Sequence, residues 1–384
     1  MKLRVVTAFG GESVEHEISI LSAMQAMAAM DPEQYEVIPL YIAKDGQMYS
    51  HPSLCELETF QDIEGFLSRH GSVSLLRRDQ NYVIVPSHHK LFAKEQEFDL
   101  VLPILHGTHG EDGTFQGFLS TLKIPYVGCS VLGGAIGQDK VIMKQVLQDS
   151  GIPIPPWFFW TADQELEEAF FHKAQRLGYP LIVKPANLGS SVGIRIVHND
   201  QELHSAMLEA FQYDRKVVLE QVITDLREIN CSVLGDEQSV MASELEEVLK
   251  QDELLSYRDK YEGGGKAKGM ASTSRKVPAD VSDEVKQEIR HLAVQTFTAL
   301  NASGVSRIDF LMDAKNEQVY VNEINTIPGS LSFYLWEASG LQFSQLIDQL
   351  ISQALKRYRR QQNYICSYDT NILQSYGSGS KFIK

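Results

Sequence analysis

QVYVNEINTIPGS, residues 318–330, starts as a valine-bearing strand and ends on a glutamate and an asparagine against a Pro-Gly turn. Strand side chains alternate between two faces, so the pattern puts Val319, Val321, Glu323 and Asn325 on one side. Two apolar residues followed by two oxygen donors describe a strand that leaves the core and enters a polar site. A strand end with solvated polar residues would read the same way. The run before it, SRIDFLMDAKNE (306–317), is a partner strand and turn that places Arg307, Asp309 and Leu311 on one face. Across such a hairpin Asp309 and Glu323 share a face if the loop has an odd number of residues. One guanidinium and three oxygen-bearing side chains then converge. Mg²⁺ takes oxygen ligands of this kind, typically one or two carboxylates plus substrate phosphates. A salt-bridged hairpin without a metal is the alternative.

Outward from this hairpin, the first third of the chain alternates strand and helix patterns. LRVVTAF, YEVIPLYI and FDLVLPILHG read as strands, and SILSAMQAMAAM as a buried helix. That rhythm predicts a mostly parallel, helix-covered sheet. Its strand-to-helix turns, GGESVEHEIS and HGTHGEDGTFQG, lie where such sheets bind ligands. A boundary falls at the glycine cluster GCSVLGGAIGQDK, after which Asp139 caps a helix running to Gly151. An acidic amphipathic helix over 163–177 stops at Gly178. YPLIVKPA and GIRIVHN are strands joined by NLGSSV, and KVVLEQVI is a further strand. From about 223 to 358 come a strand at REINCSVLG, a long loop, the helix DEVKQEIRHLAVQTFTAL, paired strands and a last helix. The polar tail after Arg360 is expected to be loosely held.

The 384 residues, 43% hydrophobic and 22% charged, allow two or three domains. A net charge of −15 disfavours non-specific binding to nucleic acid or acidic membranes. Any anionic ligand must therefore be held by a few local cations. Cys55, Cys129, Cys231 and Cys366 lack the paired spacing of a disulfide framework or zinc site. The first strand meets glycine too soon for a signal sequence, and no apolar run reaches membrane-spanning length. These features predict a cytoplasmic protein.

Three loops carry candidate chemistry. Lys184 ends an apolar strand before a glycine-rich turn holding Ser190 and Ser191. Backbone N–H groups and hydroxyls in such a turn can cradle phosphates. It is no Walker loop, because the Gly-Lys-Ser/Thr order and the following helix are missing. SYRDKYEGGGKAKGMASTSRKVPA (256–279) has the glycines and cations of an active-site lid, with Lys260 and Tyr261 at its start. A solvated surface loop has the same composition. His106 and His109, with Glu111 and Asp112, hint at a metal, but a glycine-rich turn is a poor platform for one.

Taken in order, GGESVEHEIS, HGTHGEDG, QDK, VKPANLGSSVG, LEQVI, DKY, SRIDF and NEINTIPG resemble the D-alanine–D-alanine ligase family up to about residue 358. The resemblance implies the α/β ATP-grasp fold. Its N-terminal parallel-sheet domain would span 1–138, and the central and C-terminal subdomains that clamp ATP 139–222 and 223–360, before a tail over 361–384. It further implies ATP-dependent formation of D-alanyl-D-alanine through an acyl phosphate, for peptidoglycan synthesis, in a homodimer. Matched by motif, Asp309, Glu323 and Asn325 are the ligands of two Mg²⁺ ions, for which Mn²⁺ can substitute, with Glu323 bridging. Lys140, Lys184 and Lys260, with Ser191, match the ATP-phosphate contacts. Glu220, Val222 and Ile223 match the adenine edge, and Glu228 the ribose contact. Glu15 matches the acid that receives the first substrate's ammonium, with Ser190 and Tyr261 in its network, and His106 lies near that substrate. Arg307 and the Gly329 N–H match the oxyanion donors.

One departure stands out. The more familiar members follow the Pro-Gly turn with a serine and a leucine that hold the second substrate's carboxylate. Here GSLSFYLW places Tyr334 and Leu335 at that point, with Ser330 and Ser332 nearby. Rival readings are D-serine or D-lactate as acceptor, another ATP-grasp ligase, and a non-catalytic nucleotide-binding protein. The Lys260-Tyr261 pair favours a dipeptide product.

Overall fold

A computed structural model describes residues 2–87, 95–189, 192–249 and 274–370. The first sheet holds β1 (Leu3–Gly10), β2 (Tyr35–Ile42), β3 (Met48–Tyr49), β4 (Val73–Arg78), β5 (Asn81–Pro86), β6 (Gln96–Phe98) and β7 (Leu100–Ile104), in the order β6-β5-β4-β3-β2-β1-β7. The parallel core is β2-β1-β7. The other strands extend it antiparallel, because links as short as Asp79-Gln80 leave no room for a crossover. β1 is apolar on both faces because both are covered. Val5 and Phe9 pack with the helix His16–Ala29, while Val6 and Ala8 pack toward the helix Thr114–Thr121.

The helix Phe343–Gln361 buries Leu346, Ile347, Leu350 and Ile351 in the same cluster as Val5 and Phe9. The last described helix therefore completes the core of the first sheet. Local pattern shows that it is amphipathic but not which sheet it covers.

The second sheet, in the order β10-β9-β11-β8, comprises β8 (Trp157–Thr161), β9 (Leu181–Pro185), β10 (Arg195–Val197) and β11 (Lys216–Gln221), all antiparallel. Leu181, Val183, Val217 and Leu219 face the helices Glu168–Leu177 and Asp200–Ala210. By strand alternation Lys184, Val218 and Glu220 take the opposite face, toward the helix Lys140–Asp149. Asp139 caps that helix, accepting from the Val141 and Ile142 N–H groups. The acidic helix starts at Glu168, later than its sequence pattern suggests, and stops at Gly178.

The glycine cluster before Asp139 is itself helical. Val131–Gln138 is a helix capped by Ser130. A Cβ on Gly134 would lie 2.9 Å from the Glu111 carbonyl oxygen, and one on Gly137 2.9 Å from a Thr326 methyl. The glycines let this helix wedge between the 106–113 loop and the end of the hairpin.

The third sheet comprises β12 (Leu226–Gly235), β13 (Val240–Leu249), β14 (Ser274–Lys276), β15 (Gly304–Asp313) and β16 (Val319–Asn325), in the order β14-β13-β12-β15-β16. Ile229, Cys231, Val233, Ile308, Phe310 and Met312 pack on the helix Asp283–Ala299. The other face carries Glu228, Asn230, Ser232, Arg307 and Asp309, while Leu234 and Val305 at its far end join the core of the first sheet. All four cysteines are free, and among the described residues no helix is long and apolar enough to cross a membrane.

The hairpin corrects the sequence reading in one respect. Arg307 pairs with Asn325 and Asp309 with Glu323, but Phe310 pairs with Val321, so Asn322 is an extra residue in β16. This bulge reverses the alternation. Val319 and Val321 lie in the core, whereas Glu323 and Asn325 turn to the polar face with Arg307 and Asp309. The turn itself spans 314–317, an even number of residues, closed by Asp313 N–H donating to the Gln318 carbonyl. A bulge and an even loop give the shared face that an odd loop would have given without the bulge.

Candidate active site

The polar face of the third sheet is organised by Arg307. Its Nε donates to Asp309 Oδ1 at 2.6 Å and its Nη2 to Asp309 Oδ2 at 2.8 Å, and Asn325 Nδ2 donates to the same Oδ2 at 3.0 Å. Burial pushes the Asp309 carboxyl up, Arg307 draws it back, and Glu323 and Glu228 push it up again. Acids gathered this way favour a cation. Among the described residues no cluster of three acidic, histidine or cysteine ligands stands ready. A Mg²⁺ site of two carboxylates and an amide oxygen, completed by phosphates, requires none. The donor set fits.

The cations come from the second sheet and the helix packed on it. Lys140 Nζ lies 3.5 Å from Glu323 Oε2 and donates to the Leu188 carbonyl at 2.8 Å. Lys184 Nζ donates to Glu220 Oε2 and to Asn322 Oδ1, both at 3.0 Å. The bulge residue thus joins the two sheets. Lys144, fully buried one helical turn beyond Lys140, lies 3.1 Å from Glu220 Oε1.

Glu220 is 1% exposed and holds two lysines apart. Burial pushes its carboxyl up, but Lys144 and Lys184 more than offset this and take it down to about 2. Burial pushes the Lys144 amine down. Val222 and Ile223 follow β11, half-buried, and the Val222 N–H donates to the Pro180 carbonyl. Glu228 lies on β12 opposite Leu311.

The loops of the first sheet close the site. Glu15 sits at the start of the helix His16–Ala29. A Cβ on Gly107 would come within 3.2 Å of its Oε2, and one on Gly189 within 3.5 Å, so this carboxylate lies between two loops. His106 is buried: Nδ1 meets the Ile327 carbonyl at 2.7 Å and Nε2 the Ser22 hydroxyl at 2.9 Å. His109 is exposed, so the two histidines of that loop do not converge. Glu111 accepts the Gly107 N–H on Oε2 and the Ile327 N–H on Oε1, each at 2.9 Å. Burial and the Glu15 charge push its carboxyl up to about 8.

Beyond Pro328, Gly329 opens a short helical turn in which Ser330, Leu331 and Ser332 all have φ between 51° and 53°. Each such residue costs about 1–2 kcal/mol in the left-handed region, so the surroundings must hold the turn. Tyr334 follows, its hydroxyl donating to Glu246 Oε2 at 2.9 Å. Asn230 Nδ2 donates to the same oxygen at 3.1 Å, and Arg275 lies over the Tyr334 ring, 3.2 Å from Glu246 Oε1. Leu335 is fully buried. Ser190, Ser191, Lys260 and Tyr261 lie outside the described residues.

Sequence reasoning missed Lys144, Asn322 and Glu246, and weighed Glu111 only as part of a metal site. Lys144 left one signal, a lysine four residues after Lys140 on a face that is otherwise buried.

Lysines of the second sheet and its helix that meet acids of the third sheet, beside an α/β domain, are the arrangement of the ATP-grasp class of ligases. Family models described as the D-Ala–D-Ala ligase N-terminus and C-terminus match residues 4–129 and 146–352. A D-alanine–D-alanine ligase of Thermosipho melanesiensis is 39% identical over 373 residues, 97% of this chain and 98% of its own. The D-alanine–D-alanine ligase structure from Coxiella burnetii superposes with a TM-score of 0.80 at 31% identity, covering 98% of both chains. The VanG D-Ala:D-Ser ligase of Enterococcus faecalis superposes at 0.77 with 29% identity, over 92% of this chain and all of that one. The chain belongs to the D-alanine–D-alanine ligase family.

Proposed function

We propose that the protein joins two D-alanines, using ATP, to make D-alanyl-D-alanine for cell-wall peptidoglycan. The observation that carries this reading is the meeting of Lys140 with Glu323 and of Lys184 with Asn322 at the junction of two sheets. Cations for phosphates and oxygen ligands for a metal there face one another.

In the proposed reaction the first D-alanine's carboxylate attacks the γ-phosphorus and ADP leaves. The second D-alanine's amine attacks the acyl phosphate, and the tetrahedral intermediate expels phosphate. Lys140, Lys184 and Lys260, with Ser191, hold the ATP phosphates. Val222 and Ile223 line the adenine, Glu228 takes the ribose, and Glu220 acts on the nucleotide through the lysines it positions. Glu15 receives the first ammonium, within a network of Ser190, Tyr261 and His106. Arg307 and the Gly329 N–H stabilise the oxyanion, where preorganised donors act most strongly. Asp309, Glu323 and Asn325 would hold two Mg²⁺ ions, or Mn²⁺, which when bound neutralise and orient the phosphates. A homodimer and a cytoplasmic location complete the reading.

The test is phosphate release from ATP, Mg²⁺ and D-alanine, with D-serine and D-lactate competing and products identified by mass. D-alanyl-D-alanine as the main product supports the reading. A mixed D-Ala-D-Ser dipeptide, the product type named for VanG, or a depsipeptide as the main product shifts it to the alternative acceptors.

The acceptor side carries its own prediction. Tyr334 must turn its proton from Glu246 to a substrate carboxylate to act as anchor. A hydrogen bond to a charged group contributes about 1.5–3 kcal/mol, so Tyr334→Phe should raise the second-substrate KM on the order of tenfold to a hundredfold. The first-substrate KM should stay near wild type, because Glu15 is on another domain. Ser330→Ala and Ser332→Ala are the controls. An acceptor KM that moves with a serine but not with Tyr334 assigns the anchor to that serine.

A further inference from the structure

The turn that presents Gly329 belongs to the third sheet in sequence, yet its hydrogen bonds run to the first sheet's loops. Both backbone polar groups of Ile327 are taken: its N–H by Glu111 Oε1 and its carbonyl by His106 Nδ1. Because Nδ1 faces a carbonyl, it carries the proton, and Nε2 accepts from the Ser22 hydroxyl. The Ser22 oxygen in turn accepts the Ser330 N–H at 2.9 Å. The other Glu111 oxygen accepts the Gly107 N–H, which ties the carboxyl to its own loop. Four consecutive contacts thus fix the backbone on either side of Pro328-Gly329, and every anchoring side chain is nine-tenths or more buried.

Between those anchors little freedom remains. Proline fixes its own φ, here −67°, so the direction of the Gly329 N–H follows from where Ile327 and Ser330 are held. The three left-handed residues that follow are unfavourable on their own and persist only when their surroundings impose them. Ser22 lies on the helix that Glu15 begins, so first-substrate recognition and placement of the turn share one rigid element.

We propose that Glu111, His106 and Ser22 are positioning residues that hold the Pro328-Gly329 turn, so that the N-terminal domain sets the aim of the oxyanion donor. The proposal rests on the reading of Gly329 as that donor. Glu111 then acts through backbone, as neither a metal ligand nor a base.

The test uses full-length Glu111→Gln and Ser22→Ala. A glutamine amide offers one acceptor and one donor group, so one of the two N–H groups faces another donor. Amide hydrogen exchange over residues 326–332, measured without substrates, should quicken about tenfold or more in both variants. Turnover should fall about tenfold to a hundredfold, with the ATP KM within about twofold of wild type. Adding Ser330→Gly to Ser22→Ala should restore part of kcat, because glycine takes positive φ without strain; a general packing role for Ser22 would gain nothing from it. Unchanged exchange in both variants overturns the proposal. So does a kcat loss that tracks melting temperature and ATP KM together. A wild-type protein that makes no dipeptide would refute the proposed function, while the exchange measurement still decides whether these residues hold the turn.

Discussion

Replacing Glu323 with Gln is expected to lower turnover on the order of a thousandfold at saturating Mg²⁺ while the protein stays folded. The substitution keeps the shape of the side chain and removes one charge from the polar face of the third sheet. In the proposed site that charge faces two divalent cations, and a bound metal contributes several kcal/mol to stabilising the reacting phosphoryl group. Glu323 also lies 3.5 Å from Lys140, so its loss leaves that lysine without the anion opposite it. Stability should change little, because the Glu323 side chain is 30% exposed and water can solvate an amide there. Turnover within about threefold of wild type at high Mg²⁺ would remove Glu323 from the metal site.

Glu220→Gln is expected to destabilise the protein by about 3–5 kcal/mol, the cost of leaving a buried charge unpaired. Lys144 and Lys184 would then lie close together with no anion between them, and Lys144 is fully buried. The pH dependence gives the sign. Glu220 lies at about 2 in the folded protein against an ordinary value of 4.5. Its contribution is therefore complete above about 4.5 and is lost as pH falls toward 2, so wild type and variant should converge in acid. ATP KM should rise as well, since Lys184 loses one of its two anchors. A denaturation midpoint equal to wild type at neutral pH would show that the lysines do not depend on Glu220.

How much of this was legible in the sequence depends on the range of the interaction. The hairpin was, because alternation and turn chemistry are local, and Arg307, Asp309, Glu323 and Asn325 do share a face. The means by which they do so was not. A bulge leaves no composition signal when the extra residue is an ordinary Asn322, so the valines were assigned to the wrong face. The glycine cluster was read as a boundary, and its helical structure was not legible. At 133–137 it marks a helix pressed against neighbouring segments, where close approach to Asn301, Glu111 and Thr326 decides the residue type. The pairing of Lys144 with Glu220 and the use of Glu111 on Ile327 are also long-range and carry no local pattern. Motif order supplied most of the site assignments, and it covers residues such as Lys260 and Tyr261 that lie outside the described structure.

The central claim is that a D-alanine carboxylate is activated as an acyl phosphate where the second and third sheets meet. It is tested most directly by running the reaction with D-alanine labelled with ¹⁸O in both carboxylate oxygens. A carboxylate oxygen becomes the bridge to phosphorus and leaves with it when the amine attacks. The account predicts one ¹⁸O in each phosphate released and D-alanyl-D-alanine in equal amount. Unlabelled phosphate accompanying the dipeptide, or phosphate release without dipeptide, would contradict it.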